Sequence, residues 1–513
     1  MSQIAVRPSE LPPLGDRPVS GVDDAARAPM SSAFARGRAW SKAHPDLVAL
    51  SVVLLVGLLF RLALLYRIPP LFMPGDSQSF LTPAFDLARG LGFDPILKRP
   101  LGYPLLLAIV ISALGEDLRG LVFVQATIGL ATVAATYGLG RLAFGRAAGV
   151  LAALSVAIGG QIAIYEHYVL AESIFAAWLA GGLLALVASV RSGGGSWRLA
   201  ATGGALLALA SLFRPIAEVI VPILPVFFLA TVRPRRSALA LTVAAVVGFV
   251  CALAPGFAAD VVLRGGVSSS ALGEHLLWRI TRSDSGYITR DDLPRGEADT
   301  PQTAARRYVI RKAVDRTLPQ EIFIGLRRDL GLSAGDADAV MRGVALDAIA
   351  RQPVRYLTST LRMSVELFFG EDQQLGEVSK KDGDAHYVNP QARQRTWFED
   401  RILHLGEPPS PAVENEFDRA EWLTAVYQPG RAIWLILIGY LLGSLATLVD
   451  GRARPGLLLA LAVPPMLLAN AALAGPEARF RYPLDPMIAV LAAGGLVWAL
   501  HLLFSCARKR TSV

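Results

Sequence analysis

Long apolar runs separated by short polar segments recur from Leu47 almost to the C-terminus. They predict membrane-crossing helices near residues 47–66, 119–140, 147–164, 169–190, 199–213, 216–231, 237–257, 431–449, 456–474 and 484–505. Each lies close to the ~20 residues needed to cross a bilayer, although the two around Arg214 are short. A single kinked helix over 199–231 is the alternative there. Arg198 and the cluster Arg233, Arg235 and Arg236 flank that stretch on both sides, however, which favours a hairpin turning at Arg214-Pro215. The first run begins late and has no small-residue cleavage site, so it reads as an uncleaved anchor rather than a signal peptide.

Charge between the runs orients them. Arg141 and Arg146, Arg191 and Arg198, the cluster at 233–236, Arg452 and Arg454, and Arg508, Lys509 and Arg510 fall after every second run. The excess of arginine and lysine on cytoplasmic loops then predicts that both termini are cytoplasmic. Three other segments face outside. Residues 67–118 hold a polar helix beginning at Asp76-Ser77 and an apolar stretch, Leu101 to Leu114, too short to span and suited to the interface. Tyr165 to Tyr168 form a tight turn, and residues 258–430 are polar and long enough to fold as an external domain.

The fold class is therefore mainly α: a polytopic membrane protein with about ten transmembrane helices, external interfacial helices in the first loop and a long external loop domain. Its segments are a disordered cytoplasmic tail (1–45), an N-terminal transmembrane catalytic module (46–257) that includes the first external loop (67–118), an external domain (258–430), C-terminal transmembrane helices (431–505) and a short cytoplasmic tail (506–513). The expected location is a bacterial-type inner membrane, with the active site on the external face.

Composition agrees with the pattern. Of 513 residues, 53% are hydrophobic and 18% charged, and the mean hydropathy is +0.45, whereas soluble domains are nearer a quarter charged. The net charge of +8 sits mostly in loop clusters that act as topology signals, so nucleic-acid binding is not indicated. The two cysteines, Cys251 in an apolar run and Cys506 at the last cytoplasmic edge, exclude a disulfide framework or a cysteine-ligated zinc site. No Walker A, GxSxG, HExxH or paired CxxC pattern occurs, so ATPase, serine-hydrolase and zinc-peptidase chemistry lack their parts. Asp382-Gly383-Asp384 has the spacing of a metal-binding DxD, but its Lys and Gly neighbours favour a turn.

Charged residues at a membrane boundary are costly and need a reason. Asp76, just outside the first span, could accept a proton from an attacking hydroxyl or could cap the helix it opens. Lys98 and Arg99 stand where the interfacial helix begins, at the level of lipid phosphates; they suit phosphate oxygens or nonspecific anchoring to headgroups. Glu166, His167 and Glu172 surround the second external turn, where Glu172 either pairs with an external arginine or contacts substrate. Glu477, Arg479, Arg481 and Tyr482 put positive charge in an external turn, against the general trend, as an anionic ligand would require.

These features, in this order, resemble the GT-C glycosyltransferases, especially the group of lipid A aminoarabinose transferases and protein O-mannosyltransferases. The resemblance runs over about 47–275 and returns at 430–505. It is carried by Asp76, by Arg99-Pro100-Leu101-Gly102-Tyr103-Pro104, by Tyr137 to Gly145, by Glu172, by Arg214-Pro215 and by Arg481-Tyr482-Pro483. The chain departs from the pattern at Pro255 to Asp260, and Gly273-Glu274-His275-Leu276 stands where the family has an Asn-Leu.

The resemblance implies transfer of a sugar, with inversion, from a polyprenyl-phosphate donor to an extracytoplasmic glycan, lipid or protein. Asp76 is then the base, and Lys98, Arg99, Arg479 and Arg481 hold the donor phosphate. Tyr103, Glu166, His167, Glu172, His275 and Tyr482 are the substrate-binding candidates. No cofactor or metal is required, and a divalent ion at Asp76 is left open. The alternatives are a transporter or flippase of lipid-linked sugars, and an oligosaccharyltransferase using a lipid pyrophosphate.

Overall fold

The computed structural model describes residues 43–67, 70–71, 76–93, 99–115, 118–191, 195–264, 272–294, 300–370 and 432–510. The cytoplasmic tail expected over 1–45, Lys98, and the Asp382-Gly383-Asp384 segment lie outside these residues, apart from 43–45. Residues 1–49 form one unit and 50–513 a second; of the first, the structure describes the opening of helix α1.

Among the described residues the chain is helical, with no strand. The N-terminal part runs α1 (Pro45–Arg67), α2 (Asp76–Ala88), α3 (Gly102–Leu114), α4 (Arg119–Phe144), α5 (Arg146–Ala157), α6 (Gly160–Tyr165), α7 (Glu172–Arg191) and α8 (Trp197–Ser211). A 3₁₀ helix (Pro215–Ile223) leads into α9 (Leu224–Thr231), followed by α10 (Arg235–Arg264). Then come α11 (Leu272–Trp278), α12 (Pro301–Val314), α13 (Pro319–Leu330), α14 (Ala334–Arg351) and α15 (Pro353–Phe369). The chain closes with α16 (Ile433–Val449), α17 (Leu457–Leu473) and α18 (Asp485–Arg510).

Among the described residues, six helices (α1, α4, α7 and α10, and α17 and α18 taken with the 3₁₀ turns before them) are long and apolar enough to cross a membrane. The remaining expected spans form shorter or broken helices, for identifiable reasons. The run at 147–164 stops at Ala157 and restarts at Gly160, across the Gly159-Gly160 pair, which has little helix propensity. The run at 216–231 starts as a 3₁₀ helix because Pro215 opens it and Pro222 inside it has no N–H for the ladder. The hairpin at Arg214-Pro215 is present: α8 ends at Ser211 and the next helix begins at Pro215.

The helices pack closely wherever small residues remove side chains from the interface. Gly439 and Gly443, four residues apart on α16, meet α18. A Cβ on Gly439 would stand 2.6 Å from the Ala492 carbonyl oxygen, and one on Gly443 would overlap that of Leu491. Two buried apolar clusters result. One runs through the helix bundle, from Phe60 on α1 to Ala493 on α18. The other belongs to the layer of α11–α15 and is built from Leu277, Ile280, Val309, Leu326, Met341 and their neighbours.

Loops at one end of the bundle are tied to each other by backbone bonds. Leu71, from the segment after α1, forms an isolated parallel bridge with Tyr168: its N–H donates to His167 O at 2.8 Å and its carbonyl accepts from Val169 N at 2.9 Å. Gly102 N donates to Leu212 O at 2.9 Å, an approach that a Cβ on Gly102, 2.6 Å from that oxygen, would block. At other turns Arg191 donates to Leu142 O at 2.8 Å and to Arg452 O at 2.5 Å, joining three of the arginine-bearing turns.

Candidate active site

Asp76 opens α2, and its two carboxylate oxygens are held by arginines from distant parts of the chain. Oδ1 accepts from Arg99 Nη2 and Oδ2 from Arg479 Nη1 at 2.6 Å. Arg99 lies just before α3 and also donates from Nε to Ser79 Oγ at 2.6 Å. It stacks over the Phe80 ring, 4.6 Å from the centroid. Arg479 comes from the turn between α17 and α18, and its Nε lies 2.6 Å from Glu477 Oε2. Asp76, Arg99 and Arg479 keep 22%, 13% and 14% of their side-chain surface, so the cluster is enclosed yet reachable.

A second pair completes the cluster. Arg214 Nη2 lies 3.3 Å from Glu172 Oε1, the charge partner that a buried carboxylate requires. Phe480 joins the two pairs, because Arg214 and Arg479 both stack on its ring, at 4.8 and 4.9 Å. Three arginines and three carboxylates thus balance. Burial works against the charge on Arg479, but Glu477, Asp76 and Glu172 overcome it and hold its pKa above the ordinary arginine value.

Beneath the cluster lies a buried polar network that positions the second turn. Arg61, on α1, pairs with Glu166 at 2.6 Å, the two side chains 2% and 1% exposed, and also donates to Ala157 O at 3.1 Å. Burial pushes the Glu166 carboxyl up to about 7, against the pull of Arg61. Gly129 on α4 leaves the space that this carboxylate fills; a Cβ there would overlap it. Gln125 donates to the Glu166 and Tyr168 carbonyls at 2.8 and 2.9 Å and accepts from Tyr103 OH at 2.8 Å. Tyr165 stacks on Tyr168 at 5.2 Å and lies against Tyr482 at 4.5 Å.

Residues 98–256 match the family described as dolichyl-phosphate-mannose-protein mannosyltransferase. That match covers under a third of the chain. No curated protein matches it. Among solved structures, the archaeal oligosaccharyltransferase AglB of Archaeoglobus fulgidus, in complex with an inhibitory peptide and a dolichol-phosphate, aligns at 15% identity and a TM-score of 0.45, over 92% of this chain and 52% of its own. ArnT of Cupriavidus metallidurans, bound to undecaprenyl phosphate, aligns at 13% identity and a TM-score of 0.40, over 88% of this chain and 78% of its own. The chain spans about half the length of the archaeal enzyme.

Of the residues singled out from sequence, the fold brings Asp76, Arg99, Glu172 and Arg479 into one cluster, with Tyr482 reached through Tyr165. Tyr103, Glu166 and His167 are buried below it. Arg481 is turned elsewhere: it is 2% exposed, donating to the Phe368 and Gly370 carbonyls at 3.0 Å and to Asp485 at 3.1 Å. His275 sits on α11 in the second layer. Sequence reading treated Arg214 only as a turn and passed over Gln125 and Arg61, each a polar side chain inside or beside an apolar run. That cost of burial was the available signal.

Proposed function

We propose that the chain is a membrane glycosyltransferase of the GT-C type that moves a sugar from a polyprenyl-phosphate donor to an extracytoplasmic acceptor (a glycan, lipid or protein of the cell envelope), with inversion at the anomeric carbon. One observation carries this reading: a single partly open carboxylate, Asp76, is clasped by two guanidinium groups, Arg99 and Arg479. The family match over 98–256 supports the lipid-phosphate donor.

The chemistry needs few parts. A donor phosphate takes the place of the Asp76 carboxylate between Arg99 and Arg479, whose forked donors suit its oxygens. Lys98 is a further cation for the same phosphate. The freed Asp76 takes the proton of the acceptor hydroxyl, whose oxygen bonds to the anomeric carbon as the bond from that carbon to the phosphate oxygen breaks. The electron pair leaves on the phosphate, where the arginines stabilise the added charge. A phosphate is a good leaving group, so one essential carboxylate suffices. Glu172, held by Arg214, is the candidate for sugar hydroxyls, and the packed rings of Tyr165, Tyr168 and Tyr482 support the turn that precedes it.

Binding of undecaprenyl phosphate in detergent micelles tests the phosphate site. Arg99→Gln and Arg479→Gln should each weaken it by roughly thirtyfold or more, the loss for removing one partner of a desolvated charge pair. Asp76→Asn should bind at least as tightly as wild type, because it removes the competing carboxylate. Unchanged affinity in both arginine variants would refute the assignment.

A further inference from the structure

The layer of α11–α15 and the turn that carries Arg479 grip each other through two buried arginines. The last carbonyls of any α-helix lack intrahelical partners. At the end of α17 they accept from the layer. Arg279, fully buried in a π-helical turn (Arg279–Ser283) that continues α11, donates from Nε to Ala471 O at 2.8 Å and from Nη2 to Ser359 Oγ on α15 at 2.9 Å. Tyr356 OH donates to Ala472 O at 2.7 Å, and Ser283 Oγ to Ala474 O at 2.7 Å. The reverse grip comes from the turn. Arg481 Nη1 donates to Phe368 O and Gly370 O, the orphan carbonyls where α15 ends.

The segment between the grips is the one that bears the site. It runs from Asn470, whose side chain reaches Phe480 O at 3.5 Å, through Glu477 and Arg479 to Arg481. Each grip uses a guanidinium at most 2% exposed whose bonds go to the backbone of the other element. We infer that Arg279 and Arg481 are positioning residues: through this clasp the external layer sets where Arg479 stands relative to Asp76, and so controls the affinity of the phosphate site. The inference rests on the phosphate assignment above. It makes the layer an element of the active site rather than an appendage.

Two readouts on the full-length protein in detergent test it. The first is a set of double-mutant cycles with undecaprenyl phosphate as probe. Ser283→Ala with Tyr356→Phe, a pair that removes two hydroxyls and little volume, should weaken binding about threefold to tenfold, and Arg279→Met by more. Arg279→Lys should recover part of that loss. In an Arg479→Gln background none of these changes should weaken binding further. Losses that persist undiminished in that background, or no loss in folded Ser283→Ala/Tyr356→Phe protein, overturn the inference. The second readout is hydrogen exchange across residues 475–481, which should quicken about tenfold in Arg279→Met and Ser283→Ala/Tyr356→Phe. It is independent of the ligand. If Arg479→Gln leaves affinity unchanged, the phosphate assignment alone has failed. Exchange in the turn at the wild-type rate then sinks the clasp as well.

Discussion

Arg61 and Glu166 show what a charged residue inside an apolar region is for. They pair with each other at 2.6 Å, almost wholly out of solvent, and Gly129 opens the room that the carboxylate needs. Breaking such a pair leaves one buried charge uncompensated, at a cost of about 3–5 kcal/mol. Arg61→Met and Glu166→Gln should therefore each lower the melting temperature markedly in detergent, whereas the double replacement Arg61→Met/Glu166→Leu should be milder than either single change. Equal losses in all three would show that packing, not charge, governs the site. Arg214 makes the same point at the surface of the cluster. Arg214→Lys keeps the charge facing Glu172 but loses the flat stacking on Phe480, so turnover should fall while the melting temperature changes little.

Helix ends and helix contacts do the placing at the next scale. Asp76 opens α2 and Arg99 precedes α3, which Gly102 anchors against Leu212, so the segment after α1 and the Arg214 turn are held in register. α16 and α18 owe their contact to Gly439 and Gly443. Gly443→Val forces a branched side chain into the Leu491 carbonyl and should cost about 1–3 kcal/mol by overpacking. That loss is readable as a lower melting temperature, and Leu442→Val, one position along the same helix, should show little of it. Of the roughly ten expected spans, some are shorter or interrupted at the same scale. Periodicity of apolar residues marks where a chain avoids water, but Gly159-Gly160 and Pro222 decide where a helix can continue, and they turn two of the expected spans into broken pieces.

For the whole molecule, much of the architecture is legible because runs of apolar residues report directly on where long buried helices form. Asp76, Arg99, Glu172 and Arg479 were legible for the same reason: a charge at the membrane edge stands out. Their assembly was not. Which arginine meets which carboxylate depends on how loops more than four hundred residues apart in the chain fold over one end of the bundle, as the Arg479–Asp76 pair does. Arg481 illustrates the limit. From sequence it is equivalent to Arg479, but the end of α15 lies within its reach and supplies two carbonyls, so the fold gives the neighbours different tasks. The layer of α11–α15 resembled nothing from sequence alone. Its meaning emerges only from the bonds it makes to α17.

The central claim is that Asp76 takes a proton in a reaction that consumes a polyprenyl-phosphate sugar. The most direct test incubates purified wild-type protein and Asp76→Asn with polyprenyl-phosphate sugars extracted from the native host and a membrane glycolipid fraction, and follows free polyprenyl phosphate by mass spectrometry. The account predicts release by wild type and a loss of at least a hundredfold in Asp76→Asn, in line with removal of a general base, while donor binding is retained. Donor that binds to both proteins and is consumed by neither, with every acceptor fraction supplied, would contradict it and point to a carrier of lipid-linked sugars.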